Sequence, residues 1–451
     1  MDKAQKIKQL ISEQVKEFYQ ARHMVKKFIP GETWISYAGR VFDEKEIQAL
    51  VDSSLDFWLT LGPHGKEFEQ RLAQYIKARF CILANSGSSA NLLALTGLTS
   101  HLIEKPILPG SEIITLAAGF PTTVAPIFQC NCIPVFVDIL GNTKNIDPSK
   151  LEEALSPKTR AVMIAHTLGN PFDIDAVSAF CKKHDLYLIE DNCDALGSEY
   201  RGKKTGNFGH VATQSFYPAH HITLGEGGAV LTNDAKLKRA ILSFRDWGRD
   251  CWCDPGKDNT CGTRFAGMHG ELPTGYDHKY VYAHLGYNLK PLDLQAAIGC
   301  AQLEKLPQFT QARRKNFETF HNAFKKYEDY FILPEATQNS SPSWFGFMLT
   351  VRDGADFTRK EIIDHLESRK IQTRMLFGGN LIKQPALIEA KKRGFSYRIS
   401  GDLIHTDKVA QDAFWFGVYP GLTQEEIEYM INTIDDFMAT KHSKKVLIKQ
   451  K

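Results

Sequence analysis

Ser215-Phe-Tyr-Pro-Ala-His220-His-Ile-Thr-Leu-Gly-Glu-Gly-Gly228 is followed at once by the apolar run Ala229-Val-Leu-Thr-Asn233. Local propensity reads this stretch as a β-rich segment, a turn, and a glycine-rich bend into a second strand. Outward from it, strand-like runs recur at Phe80–Ala84, Glu112–Leu116, Pro134–Asp138, Ala161–Ala165 and Leu186–Glu190, with Ala212–Tyr217 and Gly228–Leu231 at the centre. Helical runs lie between most of them, among them Ser88–Leu98, Pro148–Leu155 and Asp175–His184. That alternation predicts an α/β fold, a mostly parallel sheet covered by helices.

The chain has 451 residues, room for a large domain and a smaller one. It is 43% hydrophobic and 24% charged with a net charge of +3, a balance that gives no reason to propose nucleic acid as a partner. No apolar run approaches the roughly 20 residues of a membrane span. The start, Met1-Asp-Lys-Ala-Gln-Lys, lacks the apolar core of a signal peptide, so the expected location is cytoplasmic. Nine cysteines then read as thiols or metal ligands more readily than as disulfides.

Helical spacing over residues 4–28 predicts a leading helix, packed on the body or on a second subunit. We divide the chain into a helical extension (1–35), a large domain (36–300), a small α+β domain (301–440) and a basic, solvated tail (441–451). Within the small domain Trp344–Val351 and Ile371–Met375 read as strands, and Gln424–Thr440 as a helix. Residues 250–282 break the βα pattern and read as an inserted loop rich in Gly, Asp, Cys and Trp.

Several strand ends carry residues suited to a cofactor. Asn85-Ser-Gly-Ser-Ser-Ala-Asn91 offers Gly87 and Ser88 where a strand meets a helix, and free N–H groups there suit a phosphate. Many strand–helix turns look alike, so this segment alone leaves the matter open. Asp191 ends Leu188-Ile-Glu-Asp191, where a carboxylate needs a partner or caps the next turn. Phe120 follows another strand end, a place where an aromatic is often simply core. Cys251, Cys253 and Cys261 form Cys-x-Cys-x7-Cys in the insert, and Cys193 lies just past Asp191. Four thiolates can hold zinc or a 2Fe–2S cluster, and the spacing matches neither the usual zinc nor the ferredoxin patterns. Cys81, Cys130, Cys132, Cys181 and Cys300 lie in mostly apolar runs and read as buried small hydrophobes.

The opening stretch resembles the cofactor-lysine segment of the pyridoxal-phosphate (PLP) sugar aminotransferases, which runs Ser-Phe, a few residues, Lys, then Gly-Glu-Gly-Gly. Here the lysine position is His220, and no lysine occurs between Lys204 and Lys236. An imidazole cannot form the Schiff base but can carry protons near neutral pH. The resemblance therefore implies pyridoxamine phosphate (PMP), held without a covalent bond, and dehydration in place of transamination. It further implies the aspartate aminotransferase-type fold with a mainly parallel seven-stranded sheet. Asp191 would pair with the pyridinium nitrogen, Phe120 would stack on the ring, and Gly87, Ser88 and Ser215 would hold the phosphate. Asn288 of Gly286-Tyr-Asn288 would reach the phosphate across a homodimer.

With His for Lys, the cysteines resemble those of the PMP- and iron–sulfur-dependent sugar dehydratases of 3,6-dideoxysugar synthesis. Asp194, Tyr217 and Phe345 agree with that branch and carry different residues in the aminotransferases. The branch implies C3 deoxygenation of a CDP-4-keto-6-deoxyhexose bound for lipopolysaccharide O-antigen, with His220 as base and Tyr217 and Asp194 beside it. Cys193, Cys251, Cys253 and Cys261 would hold a 2Fe–2S cluster fed by an NADH-dependent flavin and iron–sulfur reductase. The alternative is a cluster-free PMP dehydratase that finishes by hydrolysis and recharges with glutamate. An ordinary aminotransferase lacks its lysine here, and a non-catalytic binding protein would not need an intact Asp191 and Ser215.

Overall fold

The structure, a computed structural model of the chain, describes residues 2–24, 27–253, 256–260 and 262–449, with side chains described to residue 441. Its centre is an eight-stranded sheet in the order Phe80–Ala84, Gly228–Thr232, Val211–Ser215, Tyr187–Asp191, Thr159–Ala165, Glu112–Leu116, Ile133–Val137, Arg398–Ile399. Six strands, from Val211–Ser215 to Arg398–Ile399, run parallel. Gly228–Thr232 is antiparallel to both neighbours, because it follows Val211–Ser215 through a loop with no crossover helix. The central strands are buried along almost their whole length, as a sheet covered on both faces must be. The eighth strand goes beyond the seven expected, and comes from the C-terminal part to pair with the edge strand Ile133–Val137.

A second sheet, Phe331–Ile332, Gly346–Val351 and Ala413–Gly417, is antiparallel and anchors the smaller unit. The helix Asp293–Phe324 runs through the boundary expected at residue 300. Its first half, with Cys300, Leu303 and Leu306, packs into the core of the large sheet, and Phe317, Phe320 and Phe324 pack into that of the small one. The expected strand at Ile371–Met375 is instead two isolated bridges, Ile371 to Ile35 and Arg374 to Trp415, because the run changes partner within three residues. The C-terminal helix continues to Lys449, where a tail was expected from 441, and no Gly or Pro interrupts it. The leading helix, Lys3–His23, has no buried residue and lies against Glu44–Asp56, with Lys8 paired to Asp52 and Asp56. No helix of the described residues is long and apolar enough to cross a membrane.

Candidate active site

The C-terminal ends of the parallel strands open onto a cavity of about 620 Å³, the place where open α/β sheets bind ligands. One end of it is a cradle for an anion. Ser86 caps the helix Gly87–Leu98, its Oγ accepting from Ser89 N at 3.1 Å, so the free N–H groups of the first turn face the strand ends. A Cβ on Gly87 would lie 2.4 Å from Ser215 Cβ, and one on Gly228 would lie 2.2 Å from the Ser86 carbonyl oxygen. Only glycine lets these three segments close up, and that brings Gly87, Ser88 and Ser215 to one wall.

Across the cavity Asp191 ends its strand almost fully buried, with 4% exposure. Its Oδ2 accepts from Asn91 Nδ2 at 2.8 Å and from Thr123 Oγ1 at 2.6 Å, and Oδ1 from Cys193 N at 3.2 Å. Thr213 in turn donates to Asn91 Oδ1 at 2.6 Å. The carboxylate is thus oriented by neutral donors. Phe120 lines the same cavity, edge-on to Phe377 at 5.7 Å. An anion cradle, an oriented carboxylate and an aromatic face in one cavity fit a flat pyridinium ring carrying a phosphate.

His220 lines the same cavity. Its ring packs against Phe345 at 5.2 Å, and Nδ1 lies 3.5 Å from Asp194 Oδ1. Burial pushes the imidazole down to about 4, so it is neutral at neutral pH. Burial, with the Asp191 carboxylate nearby, pushes the Asp194 carboxyl up to about 8. Buried Arg313 pulls it the other way, and donates to the His220 carbonyl at 3.3 Å. Tyr217 lines the cavity, and its carbonyl accepts from His220 N at 2.9 Å. His221, as adjacency predicts, turns away, its Nε2 donating to the Ser343 carbonyl at 2.7 Å.

The cysteines divide. Cys193 lines the cofactor cavity, and burial and the Asp191 carboxylate push its thiol well above the usual range. Cys251 and Cys253 line a second, small cavity with His278, and the two cavities share no residue. Cys261 lies outside the described residues. Cys193 and the pair Cys251 and Cys253 thus line separate cavities. His278 Nε2 lies 2.7 Å from Asp250 Oδ2, and ligand atoms of Asp250, His269 and His278 fall within 4.8 Å of one another. Of the other cysteines, Cys81, Cys132, Cys181 and Cys300 are buried and Cys130 is partly so. Asn288 is not among the cavity's lining residues; its side chain accepts from Lys290 Nζ at 2.8 Å, and its neighbour Leu289 accepts from Asn85 N.

A family model described as the DegT/DnrJ/EryC1/StrS aminotransferase family matches residues 41–435. The chain belongs to this family. Among its members, the lipopolysaccharide biosynthesis protein RfbH of Salmonella typhimurium is 48% identical over 96% of this chain and 98% of its own length. The dTDP-4-dehydro-2,6-dideoxy-D-glucose 3-dehydratase of Saccharopolyspora spinosa is 49% identical over 91% of this chain and 88% of its own. A similar solved structure is the GDP-4-keto-6-deoxy-D-mannose 3-dehydratase of Escherichia coli with bound hydrated PLP. It has a TM-score of 0.80 and 29% identity, covering 89% of this chain and 99% of that one.

Sequence reasoning passed over several residues of the cavity. Asn91 stood within a quoted motif without a role, and Thr123 was not singled out; Tyr37, Arg374 and Trp415 reach the cavity from outside the large sheet. Only a helical turn after Gly87 hinted at Asn91, and nothing local marked the other four.

Proposed function

We propose that this chain is a nucleotide-sugar 3-dehydratase working with PMP held by non-covalent contacts. The observation that carries the reading is His220, neutral and partly buried at the lysine position, in a cavity whose lining residues include no lysine. PMP held there would supply a nucleophilic amine for a 4-keto sugar and a ring able to accept electrons. Asp191 holds the proton of the ring nitrogen, and the Ser86–Ser88 turn with Ser215 holds the phosphate. His220 Nε2 accepts the proton whose removal lets the C3 hydroxyl leave. Asp194 and the Phe345 ring keep the imidazole in place and, with Tyr217, narrow the approach of water. A positioned base of this kind contributes roughly 10²–10⁴-fold.

The site supports a turnover that ends in hydrolysis, with glutamate restoring the amine. Three features support it: the family membership, the similarity to a 3-dehydratase solved with hydrated PLP, and a cavity that joins no further cysteine to Cys193. The iron–sulfur reading, with its NADH-dependent reductase, has one observation in its favour, the meeting of Cys251 and Cys253 at one small cavity. The exposed Tyr280, Tyr282 and Leu285, beside Gly286-Tyr-Asn288, support a homodimer in which Asn288 serves the partner's phosphate. A CDP sugar is the substrate we expect from the resemblance. The test offers CDP-, GDP- and dTDP-4-keto-6-deoxyhexoses to PMP-loaded protein with glutamate and no reductase. Formation of a 3-deoxy sugar, fastest from the CDP substrate, is expected. Product only with reductase and NADH, together with iron and sulfide in the protein, would move the assignment to the iron–sulfur reading.

A further inference from the structure

Among the described residues lining the cofactor cavity, Arg374 is the single arginine or lysine; the other charged side chains there are Asp191, Asp194 and Glu226. It is exposed on the small-unit side, well away in sequence from the anion cradle, and it is held rigidly. Its backbone exchanges hydrogen bonds with Trp415, at 2.8 Å from its N–H and 2.7 Å to its carbonyl. Nη1 donates to the Thr373 carbonyl at 2.7 Å, and the guanidinium lies 3.9 Å over the ring of Tyr37. Tyr37 itself is fixed edge-on against Trp415 at 5.5 Å. Stacking leaves the rest of the guanidinium edge for an acceptor, and no described carboxylate pairs with it.

An arginine fixed on an aromatic ring at the rim of an otherwise acidic cavity is a site for an anion arriving with the ligand. The cofactor's phosphate is already served by the Ser86–Ser88 turn. A sugar reaching His220 must trail its nucleotide, which stays attached through the reaction, toward the exposed rim, where Arg374, Tyr37 and Met375 stand. We propose that Arg374 is the anchor for the substrate's diphosphate, an inference that rests on the nucleotide-sugar reading above. An amino donor's carboxylate offers similar chemistry, so the test separates the two.

The experiment compares PMP-loaded wild-type protein with Arg374→Met and Arg374→Lys. CDP, GDP, dTDP and the matching nucleosides are the calorimetric probes, and glutamate-dependent recharging is followed by absorbance. Arg374→Met should weaken nucleoside diphosphate binding roughly 10- to 100-fold, the usual loss for a charge-assisted contact. Arg374→Lys should retain part of the affinity. PMP content, nucleoside affinity and the glutamate KM should not move. Unchanged diphosphate affinity in a folded Arg374→Met protein would overturn the inference and leave the dehydratase reading standing. A raised glutamate KM with unchanged diphosphate affinity would overturn it too, assigning Arg374 to the donor. Wild-type protein that binds none of the diphosphates would take down the nucleotide-sugar reading itself.

Discussion

The floor of the cofactor cavity and the cysteine-rich insert are held together by different forces. Around Asp191 three neutral donors converge on a carboxylate with 4% exposure, and a second layer, Thr213, fixes the first. Buried, fully bonded polar groups hold their geometry to fractions of an ångström, because any partner lost costs about 1–3 kcal/mol. In residues 250–282, by contrast, His278 and Val281 are the described residues that are buried. Ion pairs tie this segment down: Arg264 to Asp277 at 2.8 Å, Arg239 to Asp250 at 2.9 Å, Lys279 to Asp258. Exposed pairs contribute about 0–1 kcal/mol each and weaken in salt. The cavity is built to keep a reacting geometry; the described residues of the insert are held mainly by exposed ion pairs.

The largest expected effect lies at the cavity. His220→Asn should retain PMP, since the cradle and Asp191 are untouched, yet lose roughly 10²–10⁴-fold in water elimination. Solvent-oxygen exchange at C3 is the assay, and near-normal exchange would remove His220 from the chemistry. His220→Lys should let PLP bind covalently, visible as a shift of the cofactor absorbance. Asp191→Asn comes next, with turnover at saturating substrate falling about 10²-fold, typical of a lost electrostatic contact. Its PMP affinity should fall less, and equal losses would demote Asp191 to a simple binding group.

Asp194 tests the electrostatics by stability. Its carboxyl is raised from 3.8 to about 8, so the folded chain holds this proton more tightly than the unfolded one. That stability is complete below about pH 4 and is lost as pH rises through 8. His220, lowered from 6.5 to about 4, has the opposite sign: its contribution is present above 6.5 and is lost as pH falls toward 4. Asp194→Asn should thus lose less melting temperature between pH 6 and pH 9 than wild type, by about 2–4 °C. Parallel curves would mean that Asp194 is not raised.

Two smaller effects probe the insert. Cys251→Ser should keep PMP binding and elimination at wild-type rates, because its cavity shares no residue with the cofactor's. If reductase-dependent product collapses in that variant while elimination continues, the two regions are coupled and the contrast between them fails. Arg264→Gln should leave the global melting temperature within about 1 °C but speed proteolysis within 250–282. Added salt should produce the same sensitivity in wild type, and indifference to salt would show that apolar contacts hold the insert after all.

What could be read early follows from the distance over which each feature is encoded. The βα alternation, the phosphate turn, the strand-end Asp191 and the histidine at the lysine position are each written within about a dozen consecutive residues. Local hydrogen bonding and side-chain periodicity govern features of that span. Sequence alone therefore determined the sheet, its cofactor end and the absence of a Schiff-base lysine. Tertiary structure decided what meets across long separations. Asn91 and Asp191 are 100 residues apart, Arg313 and His220 are 93 apart, and Tyr37 meets Arg374 from the far end of the chain. Cys193 and the pair Cys251 and Cys253 likewise line separate cavities, a placement that spacing alone does not record. Strand order and helix packing set such contacts. They arise from the burial of apolar faces summed over the whole chain, and no local pattern records that sum.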